Sequence, residues 1–287
     1  MLAAVTMVYN EPEFIPLWIK YYGEQVGKEN CYIVDNGSND GSLDPYRHEV
    51  NVIRVPREYK DNQQRTKFLS EFCSSLLNYF SHVIHVDVDE FIVANPARYQ
   101  GLKDYTANWV KNRKSVTAIG LNVTQLPSEE DTIDFSKPVL SQRSYVRFVS
   151  PMCKPCIIAK PITWSPGFHG STHETVFDDI YMFHMRYFDL QYGLTRLDRT
   201  RNMKWKSEKD GQHQRVEDET WKKWFVSFEK FLKKGLFYSD GSINETLATY
   251  LDQLREGSSI DSTGRTKPPM LTPNTLFEIP ESFKKLV

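Results

Sequence analysis

With 36 lysines and arginines against 37 aspartates and glutamates in 287 residues, the chain carries no global field that would attract nucleic acid, and its 40% hydrophobic content is too high for disorder. Four cysteines, Cys31, Cys73, Cys153 and Cys156, are too few for a disulfide framework and point to a reducing compartment. No apolar stretch reaches the roughly 18 to 20 residues of a membrane span and the N-terminus turns polar too early for a signal peptide, so a cytoplasmic protein with one main domain and an appendage is expected.

LAAVTMVY predicts a first strand, and Pro12 ahead of FIPLWIKYYGEQ predicts a helix starting there. NCYIVDN is a second strand, running into the turn-forming loop DNGSNDGS. VNVIRVPRE supplies a third strand. NQQRTKFLSEFCSSLLNYF then carries Phe68, Leu69, Phe72, Leu76, Leu77 and Phe80 at helical spacing. HVIHVDVDEF reads as a buried strand that ends in Asp87, Asp89 and Glu90. Nearly all-apolar strands alternating with helices predict a parallel sheet covered on both faces, with ligands at the carboxyl ends of its strands. YNE, DNGSNDGS and DVDE therefore converge on one edge.

Further along, SVTAIGLNV, SYVRFV and KPCIIAKPITW read as strands of a mixed or antiparallel second half, divided by the acidic loop LPSEEDTIDFSKP. From about residue 205 the composition shifts to a charged stretch, a helix at 218–234, a second helix at 243–255 and a Pro- and Ser-rich tail. The sequons at Asn122 and Asn244 read as chance occurrences.

Strand alternation would place Asp87 and Asp89 on one side of the chain, where two carboxylates repel unless a cation lies near them. Hard oxygen donors favour Mg2+ or Mn2+ shared with substrate phosphates, the competing reading being solvated loop carboxylates. DVDEF after an apolar strand, TMVYNEPEFIPLWIKYYG and YIVDNGSNDGS together resemble the nucleotide-sugar-dependent glycosyltransferases of GT-A fold, in particular the family 2-like group with a D-x-D-E-F signature. The resemblance covers residues 1 to about 100 and extends more loosely to about 200.

That resemblance implies an α/β, Rossmann-like, mostly parallel sheet flanked by helices, with a mixed second half and a helical C-terminal appendage. The catalytic domain would span 1–204, its nucleotide-binding half ending near 100 and its acceptor half following, with 205–287 as the helical region and tail. Asp89 would ligate a divalent ion bridging the donor diphosphate, and Asp87 would contact the ribose or the metal's water shell. Asp35 would face the nucleobase, while Tyr9, Asn10 and Glu11 would line the nucleotide cleft. Asn36 stands where a second acidic residue is usual, which leaves the base open with uridine as the default. His184, in MFHMRY, would complete the metal site. His169, in GFHGS, is the second choice there and is carried as a catalytic candidate; either histidine could instead be structural.

Direct displacement needs a base for the acceptor hydroxyl, for which Glu174 is preferred over Glu129, Glu130 and Asp131. Arg65 and Lys67, then Lys154, Arg186, Arg196 and Lys204, are candidates for the diphosphate. Cys153-Lys-Pro-Cys156 has no second cysteine pair and reads as two ordinary thiols. Helix 218–234 places Trp221, Trp224, Phe225, Phe228, Phe231 and Leu232 on one face, to be buried against the domain or a second subunit, with a membrane surface as the alternative.

The expected activity is an inverting hexosyl transfer, dependent on Mn2+ or Mg2+, from a nucleotide-sugar donor to a glycan or glycolipid acceptor in polysaccharide or envelope-glycan synthesis. Two rivals are a non-catalytic glycan- or nucleotide-binding relative and a haloacid-dehalogenase-like phosphatase. The phosphatase would need a hydroxyl where Phe91 stands.

Overall fold

The computed structural model describes residues 1–208, 210–239 and 241–287. Its first part alternates strand and helix as the apolar runs require: β1 (Leu2–Val8), α1 (Phe14–Val26), β2 (Cys31–Asp35), β3 (Asn51–Arg54), α2 (Asn62–Leu76) and β4 (His82–His85). These strands pair in parallel in the order β3-β2-β1-β4. β1 is buried throughout and divides its side chains by parity. Leu2, Ala4 and Val8 join the core with α1, while Ala3, Val5 and Met7 join the core with α2. The Asp61 carboxylate caps α2 by accepting from the backbone amides of Gln63 (2.9 Å) and Gln64 (3.0 Å).

HVIHVDVDEF departs from the single strand expected of it. β4 stops at His85, a turn closed by the Glu90 amide on the Asp87 carbonyl (3.0 Å) follows, and β5 (Glu90–Ala94) leaves in a new direction. Asp87 and Asp89 therefore belong to a turn, where strand alternation does not govern them. α1 fixes the new strand: the Tyr21 hydroxyl donates to the Ile92 carbonyl (2.7 Å) and that of Tyr22 to the Glu90 carbonyl (3.0 Å).

After α3 (Leu102–Ala107) come β6 (Ser115–Thr124), β7 (Tyr145–Phe148), β8 (Pro155–Ile158) and β9 (Phe177–Tyr187), which form the mixed half. β6 runs parallel to β9 and antiparallel to β7 and β8, β9 pairs antiparallel with β5, and β8 joins β4 antiparallel to make one sheet. α4 (Leu190–Arg201) follows, its N-terminus capped by Asp189, which accepts from the Tyr192 amide (2.7 Å).

The last part holds α5 (Asp218–Phe228), β10 (Leu232–Gly235), α6 (Glu245–Glu256), the small hairpin of β11 (Ser259–Ile260) and β12 (Thr266–Lys267), β13 (Thr275–Glu278) and α7 (Glu281–Lys284). The helix expected over 218–234 ends at Phe228, and the tail contains β13, which pairs with β7 and β10 and so extends the main sheet. Trp221, Phe225 and Phe228 of α5 are at most 2% exposed and pack with Leu126, Leu197 and Leu276. Half of the expected apolar face is thus packed inside the protein, the preferred reading for this helix, while Trp224 and Phe231 are partly buried and Leu232 is exposed. Among the described residues no helix is long and apolar enough to cross a membrane.

α4 and α5 approach closely at Gly193, where an added Cβ would overlap the Trp221 ring. Gly193→Ala should therefore cost about 1–3 kcal/mol through overpacking, read as a lowered urea midpoint. An unchanged midpoint would mean that the two helices part freely.

Candidate active site

A cleft of about 730 Å³ opens where the chain leaves β1, β2 and β4, and Tyr9, Glu11, Asn36 and the Asp87–Glu90 turn line it. Asn10, at φ +53°, turns the backbone between Tyr9 and Glu11 while its own side chain bonds Asn39 (2.8 Å) away from the lining. Asparagine tolerates this left-handed conformation better than most residues.

Basic side chains meet the acidic cluster. Asp87 is held by Arg65 and by Lys154 Nζ (3.1 Å), and the same amine donates to Glu90 Oε1 (2.5 Å). Glu90 Oε2 in turn accepts from the Asp87 amide (2.9 Å), which stiffens the turn. Asp89 is held by Arg196, whose other nitrogen reaches Glu11 Oε1 (2.9 Å). Glu11 Oε2 is buried with no partner among the described residues.

These pairings set the protonation states. Burial would raise Asp89, but Arg196 and His184 outweigh it and hold the carboxyl far below its ordinary range; Asp87 is lowered likewise by Arg65 and Lys154 against burial. For Glu90 and Glu11 burial prevails, and both are raised despite Lys154 and Arg196 respectively. The cluster is thus two firm anions beside two more easily protonated carboxyls.

His184 Nδ1–H donates to Asn122 Oδ1 (2.7 Å), which aims Nε2 at Asp89 Oδ2, 3.4 Å away; with a proton on Nε2 the two form an ion pair, and without one they are two donor atoms that face each other. Two donors facing each other in this way fit a hard divalent ion that takes its other ligands from phosphate and water. Among the described residues no group of three or more His, Cys, Asp or Glu donors gathers, so the protein's share would be this pair. Arg196, on the same carboxylate oxygen, is the cation such an ion would have to displace.

The other candidates separate clearly. His169 lines the cleft, donates Nδ1–H to the Pro151 carbonyl (2.5 Å), and is pushed down to about 4 by burial and Lys154, so it is neutral at pH 7 and a weak base at Nε2 in the free protein. Glu174 is exposed and outside the cleft lining. Asp35 is fully buried beneath the cleft, committed to Arg54 (2.7 Å) and the Ser38 amide (2.7 Å), and Asn36 is the group after β2 that lines it. Asn36 Oδ1 accepts from Arg57 (3.2 Å), whose guanidinium lies 3.8 Å over the Tyr9 ring. Lys67 and Lys204 are exposed. Glu129 pairs with Lys233 (2.9 Å), Glu130 accepts from the Leu126 amide (3.0 Å), and Asp131 is exposed, so the acidic loop braces the structure away from the cleft. Burial pushes the thiols of Cys153 and Cys156 up to about 12, which leaves them unreactive.

Sequence reasoning missed the roles of Lys154 and Arg196, which it held only as diphosphate contacts. It missed Lys60 entirely, although that lysine two residues before the helix start lines the cleft, with Nζ on Gln214 (2.8 Å) and over the Trp205 ring (4.5 Å).

No protein-family model matches the chain, and no curated protein does. Among solved structures it is similar to S. aureus TarS 1-349, 13% identical over 74% of this chain and 68% of that one, with a TM-score of 0.34. For TarS 1-349 in complex with UDP the figures are 13%, 74%, 68% and 0.35. For mannose-1-phosphate geranyltransferase from Thermus thermophilus they are 8%, 78%, 64% and 0.31.

Proposed function

We propose that the chain transfers a sugar, with inversion, from a nucleoside diphosphate donor, uridine by default, to a hydroxyl of a glycan or glycoconjugate. The observation that supports this most is the meeting, at the ends of parallel strands, of two firmly ionised aspartates with a set of cations that outnumbers what they need. Arg57 and Lys60 line the same cleft, and among the described residues their hydrogen-bond partners are neutral, Asn36 and Met203 for Arg57 and Gln214 for Lys60. A diphosphate uses such cations, and a divalent ion uses the aspartates.

Asp89 and His184 would hold Mn2+ or Mg2+, which when bound would offset the negative charge that grows on the leaving diphosphate. Arg57, Lys60 and Arg65 bind the phosphate oxygens, Tyr9 and Asn36 present a flat and a polar surface to the base, and His169, whose depressed basicity the negative charge of a bound diphosphate would raise, takes up the acceptor's proton at Nε2. Burial of the turn keeps water from competing at the reacting bond.

Calorimetric titration with UDP, with and without Mn2+, tests this reading. Binding strengthened at least tenfold by the ion is expected; no binding of UDP in either case overturns the proposal.

Binding should also depend on pH through Lys60. Burial, aided by Arg65, Arg57 and Arg196 and opposed by Asp87, pushes its amine down to about 7. Above that pH the free protein has lost the proton and must regain it to meet a phosphate. UDP affinity should therefore fall by up to about tenfold per unit between pH 7 and 9, with proton uptake visible in buffers of different ionisation heat. Lys60→Met should flatten the profile.

A further inference from the structure

The cleft has two chemically different ends. Among the described residues its lining carboxylates, Glu11, Asp61, Asp87, Asp89 and Glu90, lie on the β1, β4 and α2 side, whereas the far wall is aromatic and carries Arg147 and Arg186. One row of residues joins the ends: Glu90 of β5 is in register with His184 of β9, His184 with Asn122 of β6, and Asn122 with Arg147 of β7. In-register neighbours share a face of the sheet, so Arg147 stands two strand spacings, about 10 Å, from His184.

Among the described residues neither arginine has a counter-ion, in contrast to the acidic end. Arg147 donates from Nε to the Pro273 carbonyl (2.8 Å) and from Nη2 to the Thr272 carbonyl (2.7 Å) and Asn274 Oδ1 (3.3 Å). Arg186 donates to the Tyr187 hydroxyl (3.2 Å) and the His213 carbonyl (2.6 Å). Every one of these partners is neutral. Half-buried guanidiniums without an anion favour a ligand that brings one.

Beside them Trp224 and Phe231 border the cleft only partly buried, Phe231 with one face under the Arg147 guanidinium (4.9 Å) and the other left for a ligand. Trp224 is fixed edge-on against Tyr187, ring centroids 5.8 Å apart at 89°, so its orientation is set before any ligand arrives. Flat apolar faces next to hydrogen-bonding groups suit a ring with one C–H face and a polar rim.

We infer that this end is the acceptor subsite and that it takes an anionic pyranose, its ring on Trp224 and Phe231 and its carboxylate or phosphate on Arg147 and Arg186. The inference rests on the donor reading above, and the spacing from His184 leaves room for the transferred sugar between the two. Calorimetry in the presence of UDP and Mn2+ tests it with three probes: a glucuronate oligosaccharide, its carboxyl-reduced neutral counterpart, and glucose 6-phosphate. At least one anionic probe should bind tenfold or more tighter than the neutral one, and whichever does so distinguishes carboxylate from phosphate. Arg186→Met should reduce that preference tenfold. Arg147→Met, on a different strand, should do the same, so that misfolding of one variant cannot imitate the result. Equal binding of charged and neutral probes, or no binding of any while UDP still binds the same sample, overturns the inference and leaves the donor reading intact. Failure of UDP itself to bind overturns both.

Discussion

Asp89→Asn is expected to lower turnover about 10²- to 10³-fold and to abolish the strengthening of UDP binding by Mn2+. The substitution keeps the shape of the side chain and removes the charge that answers Arg196 and faces His184. Arg196 retains Glu11, so the folded state should lose only about 1–2 kcal/mol, and the kinetic loss will exceed the structural one. The assay is release of UDP from a panel of UDP-sugars, with thermal unfolding of the same samples as control. Turnover within threefold of the unaltered protein would remove Asp89 from the chemistry.

Lys154→Met should give the largest loss of stability. Its side chain is 7% exposed, it bridges Asp87 and Glu90, and Glu90 is 1% exposed with no other lysine or arginine paired to it among the described residues. Removing one partner of a buried pair leaves an uncompensated charge and costs about 3–5 kcal/mol, or of the order of 10 °C in melting temperature for a chain of this length. The loss should depend on pH. Burial already raises Glu90, and without Lys154 it rises further. A carboxyl raised in the folded state stabilises that state fully below its unfolded pKa and loses the contribution as pH climbs through the folded value. The deficit of Lys154→Met should thus be small near pH 4 to 5 and full at neutral pH, and adding Glu90→Gln should recover part of it at neutral pH. A melting temperature unchanged at every pH would show that the turn does not need this amine.

The first half of the fold was legible because its signals are local. β1, α1, β2, β3, α2 and β4 each carry a period of their own, and the loops after them lie together by the geometry of parallel sheets. The turn at Asp87–Glu90 was not legible, since Glu90–Ala94 continues the same apolar run and its departure is decided by tyrosines on α1 and by β9, far away in sequence. α4 gave little signal because its stability comes from a cap and from contact with α5. In the site, the aspartates could be picked out by their clustering. Their partners could not: Lys154 and Arg196 are two among 36 basic residues until the fold brings them across 64 and 107 positions. The pairing of Asp35 was hidden for a related reason, because its partner Arg54 stands on the neighbouring strand.

The place of β13 has a consequence for biosynthesis. β7 offers one edge to β6 but keeps the other open until Thr275–Glu278 arrives to fill it, and β10 then pairs with β13 in turn. During translation the strands from β1 to β9 are complete long before that edge is covered, so a nascent chain carries an unpaired, partly apolar strand through most of its second half. Stalled or C-terminally clipped chains should therefore be the forms that aggregate, and chaperones that shield strand edges should matter most late in synthesis.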